Sequence, residues 1–141
     1  MTADFTINGN VYRIGQKLDA FKQWGIVRRL APVIVDIAAA RDAFVRRDEV
    51  GHLDRALRLL SGAIGKISDD DAQFIFSTCL AVSLRQQGAG WAAVALPGGQ
   101  LMFADLSLPE VLGITVRVIL DHLSGFTDAL PLDLKSAVGA I

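Results

Sequence analysis

Two histidines, His52 and His122, one cysteine, Cys79, and a run of three aspartates, Asp69 to Asp71, are the residues here whose types most readily do chemistry. A zinc site needs three or four ligands. Neither histidine stands in an H-x-x-x-H spacing or beside a cysteine pair, so the three would have to converge by folding alone, and no metal site is expected. Asp121-His122 with Ser124 nearby suggests a hydrolytic relay. Residues one or two apart on a helix point in different directions, which rules that relay out. No G-x-S-x-G elbow occurs. Cys79 falls on the apolar side of a predicted helix, where a buried structural thiol is expected rather than a nucleophile. Gly62-Ala63-Ile64-Gly65-Lys66-Ile67-Ser68 echoes a phosphate loop, but the first glycine is misplaced and Ile67 stands where a hydroxyl is needed. Consecutive aspartates fan out around a helix, so favourable interaction with the helix dipole accounts for Asp69 to Asp71. The residues therefore predict a non-enzyme without a cofactor.

The basic pairs Arg28-Arg29 and Arg46-Arg47, with Arg41, Arg55 and Arg58, are the remaining polar clusters. Asp36, Asp42, Asp48, Glu49 and Asp54 are interleaved with them, and the net charge is −1, so no nucleic-acid partner is expected. The charge is uneven along the chain. Residues 1–66 carry 11 basic and 7 acidic groups, a balance of +4, and residues 67–141 carry 3 and 8, a balance of −5. Such halves suit complementary faces within one chain or head-to-tail association into a homo-oligomer, and ordinary solvated helices produce the same pattern.

The elements that position these residues must first account for an apolar share of 52% in 141 residues. That length predicts one domain over 1–141 with a core that needs no disulfides. The longest uncharged stretch, Gln86 to Ala104, is broken at Pro97-Gly98-Gly99, and the apolar run from Val111 to Leu120 contains Arg117, so no membrane span is expected. Residues Met1 to Ile14 include Asp4 and no basic segment, which argues against a signal peptide. With the free thiol, this points to a cytoplasmic protein.

Phe5 to Ile14 reads as two short strands around Asn8-Gly9, residues that tolerate the positive φ of a tight hairpin. A helix is expected over Lys17–Leu30, with Leu18, Phe21, Trp24, Val27 and Ala31 at helical spacing and Pro32 to end or kink it. Helices follow over Val33–Asp48, with Gly51 as its stop, and over His52–Ile64. The next runs from Asp69 to about Gln87, capped by Ser68. Trp91–Leu96 and Gln100–Phe103 flank Pro97-Gly98-Gly99 as a second hairpin. Ser107-Leu108-Pro109-Glu110 has the form of a capping box. It opens a helix to about Ser124 that is apolar on nearly every side, and such a helix is either central in the core or pressed on a partner. His122 falls near its end, where positive charge is favourable. The fold expected is α+β, mainly α: about five helices around one core, centred on residues 69–87 with 109–124 beside it, a small N-terminal β-hairpin and a second short hairpin near 91–103.

The opening Asp4-Phe5-Thr6-Ile7-Asn8-Gly9-Asn10-Val11-Tyr12-Arg13-Ile14, with Lys17-Leu18-Asp19-Ala20-Phe21-Lys22-Gln23 and Val27-Arg28-Arg29-Leu30-Ala31-Pro32, resembles tail assembly chaperones of long-tailed bacteriophages and prophages. Gly99-Gln100-Leu101-Met102-Phe103 and Leu108-Pro109-Glu110 are similar to that family too. The resemblance implies a protein of the host cytoplasm that holds the tape measure protein in a soluble form, recruits tail tube subunits and is absent from the finished particle. A structural tail component, such as a ring-forming terminator or connector, is the alternative. For a chaperone the candidate contacts are Phe5, Tyr12, Phe21 and Trp24, with Arg28 and Arg29 as rim charges, because aromatics and arginine are enriched at interaction hot spots. Core packing is the competing role for each aromatic.

Overall fold

A computed structural model describes residues 4–45 and 51–122. The N-terminal hairpin forms as its turn chemistry requires. β1 (Phe5–Ile7) pairs antiparallel with β2 (Asn10–Ile14), and Asn8 and Gly9 both take positive φ, 51° and 82°. Two positive-φ residues give the turn the same hand as the strand twist. β2 then pairs with β3 (Ser83–Gln87), and β3 with β4 (Gly90–Ala93), all antiparallel in the order β1-β2-β3-β4.

Because side chains alternate along a strand, the register decides what each face carries. Phe5 lies opposite Tyr12, Ile7 opposite Asn10, and Tyr12 opposite Arg85. These five residues share the face that α5 (Leu108–Asp121) covers. Seven of the 14 residues of α5 are buried, among them Ile114, Val116, Val118, Ile119 and Leu120. Of the two roles open to this all-round apolar helix, the central one is the one it takes. Gly113 makes the approach possible, since a Cβ there would come within 2.6 Å of Ile7 Cδ1.

The helical layer comprises α1 (Ala20–Leu30), α2 (Ile34–Val45), α3 (His52–Ile64) and α4 (Asp69–Ala81). Asp19 caps α1 by accepting from the Lys22 N–H at 2.8 Å. Pro32 falls in a single 3-10 turn, Ala31–Val33, which joins α1 to α2. Ser68 caps α4 by accepting from the Asp71 N–H at 3.2 Å, and the acidic first turn follows. α2 packs on α3, and both α3 and α4 pack on α5. One apolar core runs through Leu18, Ile26, Leu30, Ile37, Leu60, Ile75, Leu80 and Ile119.

Two expectations are corrected. The helix from Asp69 ends at Ala81 rather than near Gln87, and Ser83–Gln87 is strand β3. Pairing with β2 and β4 and the burial of Ser83 and Arg85 outweigh the helical spacing of that stretch. The second hairpin accordingly turns at Gly88-Ala89, and the Pro97-Gly98-Gly99 turn is closed by one isolated bridge between Ala95 and Leu101. Gly51 stands at the N-cap of α3 in a left-handed conformation at φ 80°. The expected helix ends at Asp48 and Ser124 lie outside the described residues, as do Arg46, Arg47 and the tail from Leu123.

Candidate functional site

The titratable groups that converge most closely do so between the sheet and the first turn of α5. Tyr12 is fully buried, and its hydroxyl donates to Glu110 Oε2 at 2.7 Å. Asn10 Nδ2 donates to Glu110 Oε1 at 3.2 Å. Arg85 donates to Asn10 Oδ1 at 3.1 Å and forms a fork on Asp105, 3.0 Å to Oδ1 and 2.9 Å to Oδ2. Its guanidinium also lies 4.5 Å above the Phe103 ring. Burial and the neighbouring Glu110 push the Tyr12 phenol well above its ordinary value. The Arg85 fork holds the Asp105 carboxyl below the usual carboxylate range and raises Arg85 in turn.

The carboxylates of this network are occupied within it, while the buried Arg85 Nε has no hydrogen-bond partner. Both Glu110 oxygens accept from the sheet and both Asp105 oxygens accept from Arg85, so each carboxylate is held as a structural acceptor. The chemistry the arrangement performs is to compensate buried charge with hydrogen bonds while fixing α5 on the sheet. It also replaces the expected capping box. Ser107 stands at the N-cap without a side-chain cap bond, and Glu110 reaches across to Tyr12 and Asn10.

His122 likewise holds the fold. Its Nδ1 lies 2.7 Å from the Val118 carbonyl, and its Nε2 accepts from the Leu18 N–H at 3.2 Å. This ring clips the segment just before α1 to the C-cap of α5. Cys79 is fully buried, and burial pushes its thiol up, away from the reactive thiolate. Among the described residues, no group of three or more His, Cys, Asp or Glu side chains is placed to hold a metal ion. Among them, too, no helix is long and apolar enough to cross a membrane.

The feature most suited to a partner is a face of α1. Gly25, Ile26, Val27 and Leu30 turn inward. Gly25 admits the Phe74 ring of α4, which a Cβ would meet at 2.9 Å. The face away from Ile26 and Leu30 presents Phe21, 89% exposed, Trp24, 55% exposed, and the exposed Arg28. Their spacing, i, i+3 and i+7, puts the three on one stripe of the helix. Exposed Ala31 and Pro32 follow in the 3-10 turn, and exposed Val35 in the first turn of α2. Large exposed side chains grouped in this way mark interaction surfaces.

The six residues singled out from the sequence therefore divide. Phe21, Trp24 and Arg28 stand together at the surface. Tyr12 is in the core, and Phe5 is half-buried, stacked on it at 6.0 Å between ring centroids with Arg117 5.1 Å above. The burial of that pair follows from the sheet face that α5 covers. Arg29 is committed to the fold, with its guanidinium 3.6 Å above Phe74, an ion pair to Asp71 at 3.6 Å and a hydrogen bond to the Gly25 carbonyl at 2.9 Å. Sequence reasoning missed Glu110, Arg85 and Asn10. For Glu110 the available signal was a lone acidic residue at the head of an apolar run. It also missed Leu96, Leu101 and Met102, exposed apolar side chains on the connection from β4 to α5, and the exposed Leu108 at the first position of α5.

A protein-family model described as phage tail assembly chaperone protein, TAC, matches residues 8–132. No curated protein matches, and no solved structure matches.

Proposed function

The chain belongs to the phage tail assembly chaperone family, and on that premise we propose that it is a non-enzymatic chaperone which binds the tape measure protein and tail tube subunits during tail assembly. It acts in the cytoplasm of the bacterial host and is absent from the finished particle. The observation that carries the reading is the α1 face, where Phe21 and Trp24 are exposed beside Arg28 on a helix anchored from behind. A chaperone of this kind needs an apolar surface with a polar rim that can take up a client and release it. Aromatic anchors with an arginine beside them suit that task, because large rigid rings bury area at low entropic cost.

A co-expression pull-down tests the proposal. The tagged chain is produced with the tape measure and tail tube proteins of the same genome and recovered at low and moderate salt. Retention of the tape measure protein is expected. Failure to retain either partner at both salt levels overturns the proposal. Mass spectrometry of purified particles tests the second part, since stoichiometric presence in the particle contradicts an assembly-only role.

A further inference from the structure

We propose that the α1 face is built for an amphipathic α-helix whose apolar stripe is bordered by acidic side chains, one of them opposite Arg28. This rests on the chaperone reading and specifies the chemistry of its client segment. The spacing sets the shape of the occupant. Phe21, Trp24 and Arg28 occupy the first, fourth and eighth positions of a helical stripe, the a, d, a pattern of a seam that takes a second helix. The backing is rigid, with Ile26, Val27 and Leu30 in the core and Gly25 against Phe74. An amphipathic helix laid on such a seam reads protruding side chains at this spacing.

Charge selects among helices. Lys17, Lys22 and Arg28 are all exposed around the two aromatics. The acidic residues beside them are both engaged: Asp19 caps α1 through the Lys22 N–H and lies 3.9 Å from Lys22 Nζ, and Asp71 of α4 pairs with Arg29 at 3.6 Å. The border of the stripe is therefore cationic, and an acidic rim on the partner is complementary to it. Arg28 makes the requirement sharper. It takes a seam position, so a wholly apolar partner helix would cover its guanidinium without an acceptor. Desolvating a cation in that way is strongly unfavourable. A glutamate or aspartate facing Arg28 removes the difficulty and fixes the register of the two helices.

Isothermal titration calorimetry of the full chain with three synthetic helical peptides tests the inference. All three have the same length. One carries a leucine stripe with glutamate flanks, one the same stripe with lysine flanks, and one glutamate flanks with serine in place of leucine. The acidic leucine peptide is expected to bind roughly tenfold or more tighter than either control, and Arg28→Glu to reverse the preference between the two leucine peptides. Trp24 emission, read in a Trp91→Phe background, is expected to shift to shorter wavelength on binding. Equal affinity for the glutamate and lysine peptides, equal affinity for the serine peptide, or no binding of the acidic leucine peptide overturns the inference. A concentration-dependent shift of Trp24 emission in the protein alone also overturns it, because the occupant is then a second copy. Retention of the tape measure protein without peptide discrimination removes this inference alone. Peptide discrimination without retention of any tail protein removes the chaperone reading.

Discussion

The Tyr12 hydroxyl donates a 2.7 Å hydrogen bond to the carboxylate of Glu110, 98 residues further along the chain. This contact joins the N-terminal hairpin to the first turn of the central helix. Asn10 donates to the second carboxylate oxygen, and Arg85 binds Asn10 from the neighbouring strand. Sheet and helix are thus held by a polar clasp as well as by apolar packing.

Tyr12→Phe removes the donor and leaves Glu110 Oε2 without its partner. The expected loss is about 1–3 kcal/mol of unfolding free energy, the usual cost of an orphaned buried acceptor. Chemical denaturation checks it. A variant as stable as the parent would show that the hydroxyl is not engaged.

Tyr12 is the only tyrosine in the chain, so its ionisation is read without interference. Burial and Glu110 raise the phenol above its ordinary value of 10.0. A raised acid of this kind contributes stability that is fully present below pH 10.0 and is lost as the pH climbs towards the native value. Ultraviolet titration of the folded protein is expected to show no tyrosinate through the ordinary range, while the urea-unfolded chain titrates normally. Tyrosinate forming at the ordinary value in the folded protein contradicts the buried clasp.

Asp105 shifts the other way. Its carboxyl is lowered by the Arg85 fork, so its contribution is present above the ordinary 3.8 and fades as the pH falls through the native value. The stability difference between the parent and Asp105→Asn is expected to shrink with acidification in denaturant unfolding. A difference that stays constant from neutral to strongly acidic solution rules the fork out as a source of pH dependence.

Core and surface apolar side chains separate cleanly in a stability comparison. Ile75→Ala empties a fully buried site on α4 and is expected to cost about 2–5 kcal/mol. Phe21→Ser, at 89% exposure, is expected to change stability by no more than about 0.5 kcal/mol. Comparable losses for the two would place Phe21 in the core.

Much of this architecture is legible in local signals. Asn8-Gly9 announces the hairpin, Ser68 before three aspartates announces α4, and Pro32 announces the break after α1. What local reasoning misses depends on partners far away in the chain. Ser83–Gln87 continues the helical spacing of α4, yet β2 captures it as a strand. Glu110 stands three residues after Ser107 as a capping glutamate would, yet Tyr12 and Asn10 offer it better donors. The candidate surface is divided by the same cause. Periodicity places Phe21 and Trp24 on one helical stripe with Leu18, but only the packing of α1 on α4 shows that its buried face is centred on Gly25, Ile26 and Leu30. Tyr12 and Phe5 have the residue types of a contact surface and lie beneath α5 because of the strand register.

The central claim is that Phe21 and Trp24 hold a tail-protein client. Its most direct measurement is the amount of tape measure protein recovered with the tagged chain on co-expression, for the parent and for the double variant Phe21→Ser, Trp24→Ser. The parent is expected to recover the client and the double variant roughly tenfold less or lower, with unchanged circular dichroism and thermal stability. Equal recovery by the folded double variant, or none by the parent, contradicts the account.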